Sequence, residues 1–333
     1  MIYCFGSRVS LWLSLFFLVI CVGSISAQPT RFEFKEPHMG SSFLLVLYAD
    51  EQEEAKQAAT AAFKRIAELN AVLSDYDPES EVNHLSASSG SGKWISISPD
   101  LMEMLVQSQR YSQQSKGAFD VTVGPLVRLW RKSVREAKLP NKKRLRKVKK
   151  AVGYELVALN TSAGKAKLLH PNMRLDFGGI AKGYAVDEAY RVIMEYQVHT
   201  AMVDGGGDLY LGPPPPGHDG WNVKIEGTEE EKVLLTNCGI ASSGDTYRFV
   251  TIEGKRYSHI INPKSGLGLT QRRQVTVIAP SCTQADALAS TFSVAGLQKS
   301  QRIGEVYPGV AFQYQYQEKE EWKKFQTLRF TLE

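Results

Sequence analysis

Cysteine is scarce: the chain has four in 333 residues. Cys4 and Cys21 fall in an apolar leader, which leaves Cys238 and Cys282 for the rest of the chain. Two cysteines could pair in an oxidising compartment, but they make no disulfide framework, and no CxxC or His/Cys spacing points to zinc. The nucleotide-binding patterns GxGxxG and GxxxxGK[ST] are both missing, and so is any internal repeat. Net charge is low, with 40 Lys and Arg against 35 Asp and Glu. That balance does not by itself call for a nucleic-acid partner. No apolar run is long enough to span a bilayer comfortably: the longest, Leu11 to Val22, is about a dozen residues and is broken by Ser14.

That run has the other parts of an export signal. Arg8 precedes it, and the small residues Ser24, Ser26 and Ala27 follow it. Residues 1–27 are therefore expected to be a signal peptide and residues 28–333 the exported protein, with a retained anchor as the alternative. Cys21 is a poor lipidation site because the bulky Ile20 precedes it. Removing the leader takes away one cation and no acid, leaving 39 basic against 35 acidic residues.

Beyond the leader, hydrophobic periodicity predicts a helix over Glu51–Val72, with Ala55, Ala59, Ala62, Phe63, Ile66 and Leu69 on one face and Asp50 as a candidate cap. Pro99–Tyr111 reads as a second helix. Residues 140–151 (PNKKRLRKVKKA) read as a third. Its basic run has no aromatics, so a solvated helix face is favoured over a nucleic-acid or membrane patch. From MRLDF (173–177) onward, short β-rich segments alternate with the helical stretches GIAKGYAVDEAYRVIMEY and TQADALASTFSVAG. The pattern predicts an α+β fold with mixed or antiparallel sheets and packed helices; a doubly wound parallel sheet is the alternative.

Three segments could carry chemistry. In LDFGGIAKGYAVD (175–187), an extended stretch ends at Asp176, and Gly178 and Gly179 permit a tight turn. A helix then starts with its positive end exposed and Lys182 in its first turn. Phosphate binding and a plain strand–turn–helix joint are both open. In PSCTQADALAST (280–291), Asp286 and Ser290 share one helix face and could hold a hard cation such as Mg²⁺. Thr283-x-x-Asp286 also reads as a capping box, which would make Asp286 only a cap. In RYSHIINPKSG (256–266), His259 is either a proton acceptor or a structural residue in a strand. Weaker signals are VDGGGDLYL with Asp204 and Asp208, SSGDTYRF with Ser243 and Asp245, LSDYDPESEVNHL with Tyr76 in a turn, and GAFDVTVGPLVRLW, which reads as starting with a strand.

Taken in order with HMGSSF at residues 38–43, these segments resemble the ApbE family of FAD:protein FMN transferases over residues 38–291. The resemblance implies that residues 28–333 form one ApbE-like domain. It also implies an Mg²⁺-dependent enzyme that uses FAD as substrate. A Ser or Thr hydroxyl of an acceptor protein would attack the FMN phosphorus, and AMP would leave. Gly179 (through its carbonyl), Asp286 and Ser290 fall at the family's metal positions. Met39, Tyr76, Ala118, Phe119, Asp120, Asp176, Lys182, His259 and Ile260 fall at flavin-nucleotide positions, and His259 and Asp286 at catalytic ones. Asn262 stands where many members carry Asp. Two alternatives are FAD hydrolysis to FMN and AMP, and an exported flavin-binding protein without chemistry. The resemblance further implies an acceptor among membrane redox subunits, flavinylated in Ser/Thr-Gly-Ala motifs, with no nucleic acid involved. The expected location is the periplasm or the outer face of the cytoplasmic membrane.

Overall fold

The computed structural model describes residues 28–226, 232–245 and 249–327. The proposed leader lies outside these, as do Thr246 to Arg248 of the segment TYRFVTI. The frame is one eight-stranded sheet: β1 (Thr30–His38), β2 (Ser41–Ala49), β3 (Thr200–Asp204), β4 (Leu209–Leu211), β5 (Cys238–Gly244), β6 (Arg273–Ala279), β7 (Ala311–Glu318) and β8 (Glu321–Gln326). Each strand lies beside the next in chain order, and every pairing is antiparallel. The antiparallel expectation holds, and the parallel alternative does not.

Neighbouring strands are joined either by tight turns or by long excursions. Met39 and Gly40, both at positive φ (49° and 72°), make the two-residue turn from β1 to β2. The connection from β2 to β3 carries six helices: α1 (Gln52–Leu73), α2 (Glu81–Ala87), α3 (Pro99–Gln114), α4 (Gly124–Glu136), α5 (Lys142–Lys149) and α6 (Ala181–Glu195). It also carries a small sheet of Ile95–Ser96, Val157–Asn160 and Lys165–Leu168. Between β6 and β7 come α7 (Cys282–Ala295) and α8 (Leu297–Gly304). Two antiparallel ribbons, Phe249–Ile252 with Lys255–Ser258 and Ile261–Asn262 with Leu267–Gly268, stand out from the β5–β6 connection.

Period-two alternation explains how the sheet is covered on both faces. On β2, Phe43, Leu45 and Leu47 pack with the alanine-rich faces of α1 and α6, while Val46 faces Leu211, Trp221 and Ile278. On β6, Val275 and Val277 join Phe292 of α7 and Phe177 in a further core.

Three local expectations change. Asp50 does not cap α1: the N-cap position is Glu51, which makes no side-chain bond. MRLDF is extended but pairs only through an isolated bridge between Arg174 and Val123. GAFDVTV does not start with a strand, because Asp120 accepts hydrogen bonds from the backbone N–H (2.8 Å) and hydroxyl (2.6 Å) of Thr122 and folds the segment on itself. Cys238 and Cys282 are both free and buried.

Candidate active site

The floor of the site is the junction of α6 and α7. A Cβ on Gly183 would stand 2.4 Å from the Cys282 carbonyl oxygen, so only glycine lets the first turn of α6 meet the start of α7. One turn on, Asp187 accepts hydrogen bonds from the backbone N–H groups of Cys282 and Thr283, each at 2.8 Å, and from the Thr283 hydroxyl at 2.5 Å. Ser281 supplies the N-cap by accepting from the Gln284 N–H at 3.2 Å. Thr283-x-x-Asp286 is therefore not a capping box. The helix starts at Cys282, and Asp286 lies a turn beyond the reach of a cap. Its carboxylate instead accepts from the Gly183 N–H at 3.2 Å and borders a cleft.

The charges there do not balance. Burial pushes the Asp286 carboxyl up to about 8, and the nearby Asp208 carboxylate adds to the rise. Asp208 is also pushed up by burial, although the Lys182 ammonium bonds to it directly. Burial alone would lower Lys182, but Asp208 and Asp286 more than offset this and hold it charged. Two buried carboxylates thus share one ammonium, and a further cation would relieve them. Ser290 lies one helical turn beyond Asp286. A Cβ on Gly179 would be 2.9 Å from the Ser290 Oγ, so the Gly179 backbone reaches the same point. Carboxylate, hydroxyl and backbone carbonyl are hard oxygen donors and fit Mg²⁺. Among the described residues no three His, Cys, Asp or Glu side chains are grouped to hold a metal, so the fit rests on this mixed set.

The cleft has a volume of about 680 Å³, ample for a nucleotide-sized ligand. Tyr76, Ala118, Phe119, Asp120, Asp176, Gly179, Lys182, His259, Ile260, Asp286 and Ser290 all line it. Met39 does not; it sits in the β1–β2 turn and packs on two of the cores. Tyr76 is 76% exposed, with the Arg131 guanidinium 4.3 Å from its ring centroid. Its loop is held by the Asn83 amide, which donates to the carbonyls of Ser74 (3.2 Å) and Asp77 (2.7 Å). Arg131 also pairs with Asp75 at 2.8 Å and approaches Asp176 at 3.8 Å. Asp120 is spent on the chain itself, its second oxygen accepting from the Tyr154 N–H at 3.1 Å. Asp176 accepts from the Gly178 N–H at 2.9 Å and so shapes the turn into α6. Its carboxyl is raised chiefly by burial.

His259 occupies an exposed bend between the two ribbons. The bend is fixed from below, because the Trp130 indole N–H donates to the Ser258 carbonyl at 3.1 Å and the Ser258 hydroxyl accepts from the Ile260 N–H at 3.0 Å. The predicted continuous strand is therefore broken at His259 itself. Asn262 is spent on its turn, accepting from the Lys264 N–H at 2.9 Å. Arg131 is a cleft residue that the sequence does not single out, and Asp208 is one that it names only together with Asp204. The DGGGD turn offers two aspartates: Asp204 accepts from the N–H groups of Gly206 (2.7 Å) and Gly207 (2.8 Å), while Asp208 is turned inward.

Fold and cleft first define the class. A solved Pseudomonas stutzeri flavinyl transferase superposes with a TM-score of 0.81 at 25% identity, covering 92% of this chain and 97% of its own. The Vibrio cholerae flavin transferase superposes with a TM-score of 0.80 at 25% identity, over 91% and 98%. The FAD:protein FMN transferase of Haemophilus influenzae is 31% identical over 250 residues, 72% of each chain. That of Chlamydia muridarum is 28% identical over 283 residues, 83% of this chain and 89% of its own. The chain belongs to the ApbE family, whose model matches residues 39–312.

Proposed function

We propose that this protein is an exported, Mg²⁺-dependent FAD:protein FMN transferase that moves FMN from FAD to a Ser or Thr hydroxyl of an acceptor protein and releases AMP. The observation that carries the reading is the shared counter-charge deficit. Asp286 and Asp208 are buried beside one lysine, in the cleft whose mouth presents Tyr76.

Asp286, Ser290 and the Gly179 carbonyl would hold Mg²⁺. The ion would neutralise the pyrophosphate and polarise the phosphorus under attack. Tyr76 and the guanidinium above it provide a flat, exposed platform for the isoalloxazine at the mouth. The turn at Gly178 and Gly179 and the first turn of α6 put Gly179 and Lys182 in the cleft lining, where Lys182 would add positive charge beside the phosphates. His259, at the exposed rim, is the group suited to take the proton from an incoming hydroxyl. The same exposure lets water reach that point, which favours FAD hydrolysis as the second reading.

Purified protein should be incubated with FAD and Mg²⁺, with and without a candidate acceptor. Transfer gives AMP together with flavin fluorescence on the denatured acceptor band. Hydrolysis gives AMP without acceptor, and simple binding gives no AMP. Full turnover in excess chelator would rule out the metal role.

A further inference from the structure

The transferase reading leaves one feature unused: a concentration of positive charge on α4 and α5. Between Gly124 and Val152 the chain carries twelve Lys and Arg and a single acid, Glu136. The rest of the chain then has 28 basic and 34 acidic residues, so the net positive charge of the protein comes entirely from this segment. Among the described residues, only Arg131 and Lys132 of these twelve have carboxylate partners: Arg131 pairs with Asp75, and Lys132 with Glu136 at 3.5 Å. Lys142, Lys143, Arg144, Arg146, Lys147 and Lys150 are exposed.

The patch adjoins the cleft. Val127, Trp130, Arg131, Val134 and Arg135 of α4 form one wall, and Ile260, Ile261 and Pro263 continue it. α5 is clamped behind both. A Cβ on Gly266 would meet Leu145 at 2.8 Å and Leu126 at 2.9 Å, and the Lys149 ammonium donates to the Lys264 carbonyl. Basic residues therefore stand both in the cleft wall, at Arg131 and Arg135, and on the outside of α5, which is clamped against the turn at Lys264 and Gly266 that follows the cleft residues Ile261 and Pro263.

We infer that this face is a docking surface for an acidic segment of the acceptor polypeptide, which it holds while the acceptor hydroxyl enters the cleft. The inference rests on the transferase reading. Charge complementarity calls for an anionic partner, and the patch adjoins the cleft that the acceptor hydroxyl has to enter. A lipid surface fits less well. A membrane-binding helix buries an apolar face among acyl chains, whereas the apolar residues of α5, Leu145 and Val148, are partly buried and Leu145 is packed against Gly266.

The test uses the full exported chain and the charge-reversal variant Lys143→Glu/Arg146→Glu/Lys147→Glu. All three side chains are exposed and outside the cleft lining. The probe is a fluorescein-labelled peptide with a Ser/Thr-Gly-Ala core flanked by glutamates, and its control has glutamine flanks. Fluorescence anisotropy should show the acidic peptide binding the wild type, about tenfold or more weaker binding by the variant, and weaker binding as salt is raised. The glutamine peptide should bind poorly to both proteins. Acceptor-independent AMP release from FAD should be the same in wild type and variant. Flavin fluorescence on the denatured peptide after incubation with wild type, FAD and Mg²⁺ tests the transferase reading separately, since the absence of both peptide-bound flavin and AMP would count against the function and leave the binding result standing. Equal binding of the acidic peptide by both proteins, or none by the wild type, overturns the inference. So does co-sedimentation of the wild type, but not the variant, with phosphatidylglycerol vesicles when the peptide does not bind.

Discussion

At the scale of single residues, the buried charges around Asp286 govern what substitutions should do. Its ionised form is disfavoured by burial and by Asp208, so the carboxylate serves binding rather than folding. Asp286→Asn is expected to abolish FMN transfer while leaving the metal-free protein at least as heat-stable at pH 8 as the wild type; calorimetry beside the AMP assay checks both. Lys182→Met should act in the opposite way. It strips two buried carboxylates of their ammonium, which costs about 2–3 kcal/mol of stability and weakens FAD binding by roughly a decade. An unchanged melting curve for this variant would mean that Lys182 does not neutralise Asp208. Asp286 and Ser290 are legible in the sequence because residues four apart on a helix must share a face. Asp208 is not, since nothing in DGGGD says which aspartate turns inward, and Arg131 becomes a cleft residue only when a separate loop brings Tyr76 beneath it.

At the scale of elements, the site depends on how three helices are held. Arg65 of α1 donates to Asp100 at the start of α3 (2.9 Å) and to Glu188 of α6 (2.9 Å), and the Tyr184 hydroxyl donates to Asp100 at 2.9 Å. The Arg65 bond holds the Asp100 carboxyl below its ordinary range. Burial raises Glu188, but Arg191 and Arg65 outweigh it and the net shift is downward. Groups with lowered folded values stabilise the protein above the ordinary carboxylate range, and that contribution is lost as pH falls through the folded values. Arg65→Met is therefore expected to cost about 2 kcal/mol at pH 7. The deficit should shrink below about pH 4, where the unfolded carboxylates take up protons. A deficit of the same size at pH 3 and pH 7 would show that packing, not charge, is lost. The helices themselves are legible as periodic apolar faces. The Asp187 tie that places the start of α7 is not, because Asp187 is remote in sequence from the N–H groups it satisfies. Asp187→Ala should remove about 1–2 kcal/mol and lower transfer by displacing Asp286 and Ser290, as read by the melting temperature and the rate of AMP release.

At the scale of the whole molecule, the sheet order follows the chain order, so the long connections determine where chemistry can occur. The segments that form the cleft are spread from Tyr76 to Val294, yet each is short and keeps its own turn or helix signal, which is why most of the site is readable before the fold is known. The pairing of the eight strands is not readable in this way, since alternation gives a strand its two faces but does not name its neighbours. The same architecture bears on the N-terminus. β1 forms the outer edge of the sheet and pairs with β2 along its whole length, from Thr30 opposite Ala49 to His38 opposite Ser41. Gln28 and Pro29 before it are exposed and unstructured by strand or helix. A chain starting at residue 28 keeps every strand and helix described above. It is expected to match the full 333-residue chain in melting temperature to within about 1 °C, a shift well below 1 kcal/mol, and to equal it in transfer activity. The proposed export rests on Arg8, the apolar stretch from Leu11 to Val22 and the small residues ending at Ala27, which have the pattern of a cleavable leader. N-terminal sequencing of the protein recovered outside the cytoplasm should begin near residue 28. A mature chain that still carries Leu11 to Val22 and leaves the membrane only with detergent would show that the segment is an anchor, holding the edge strand beside the bilayer.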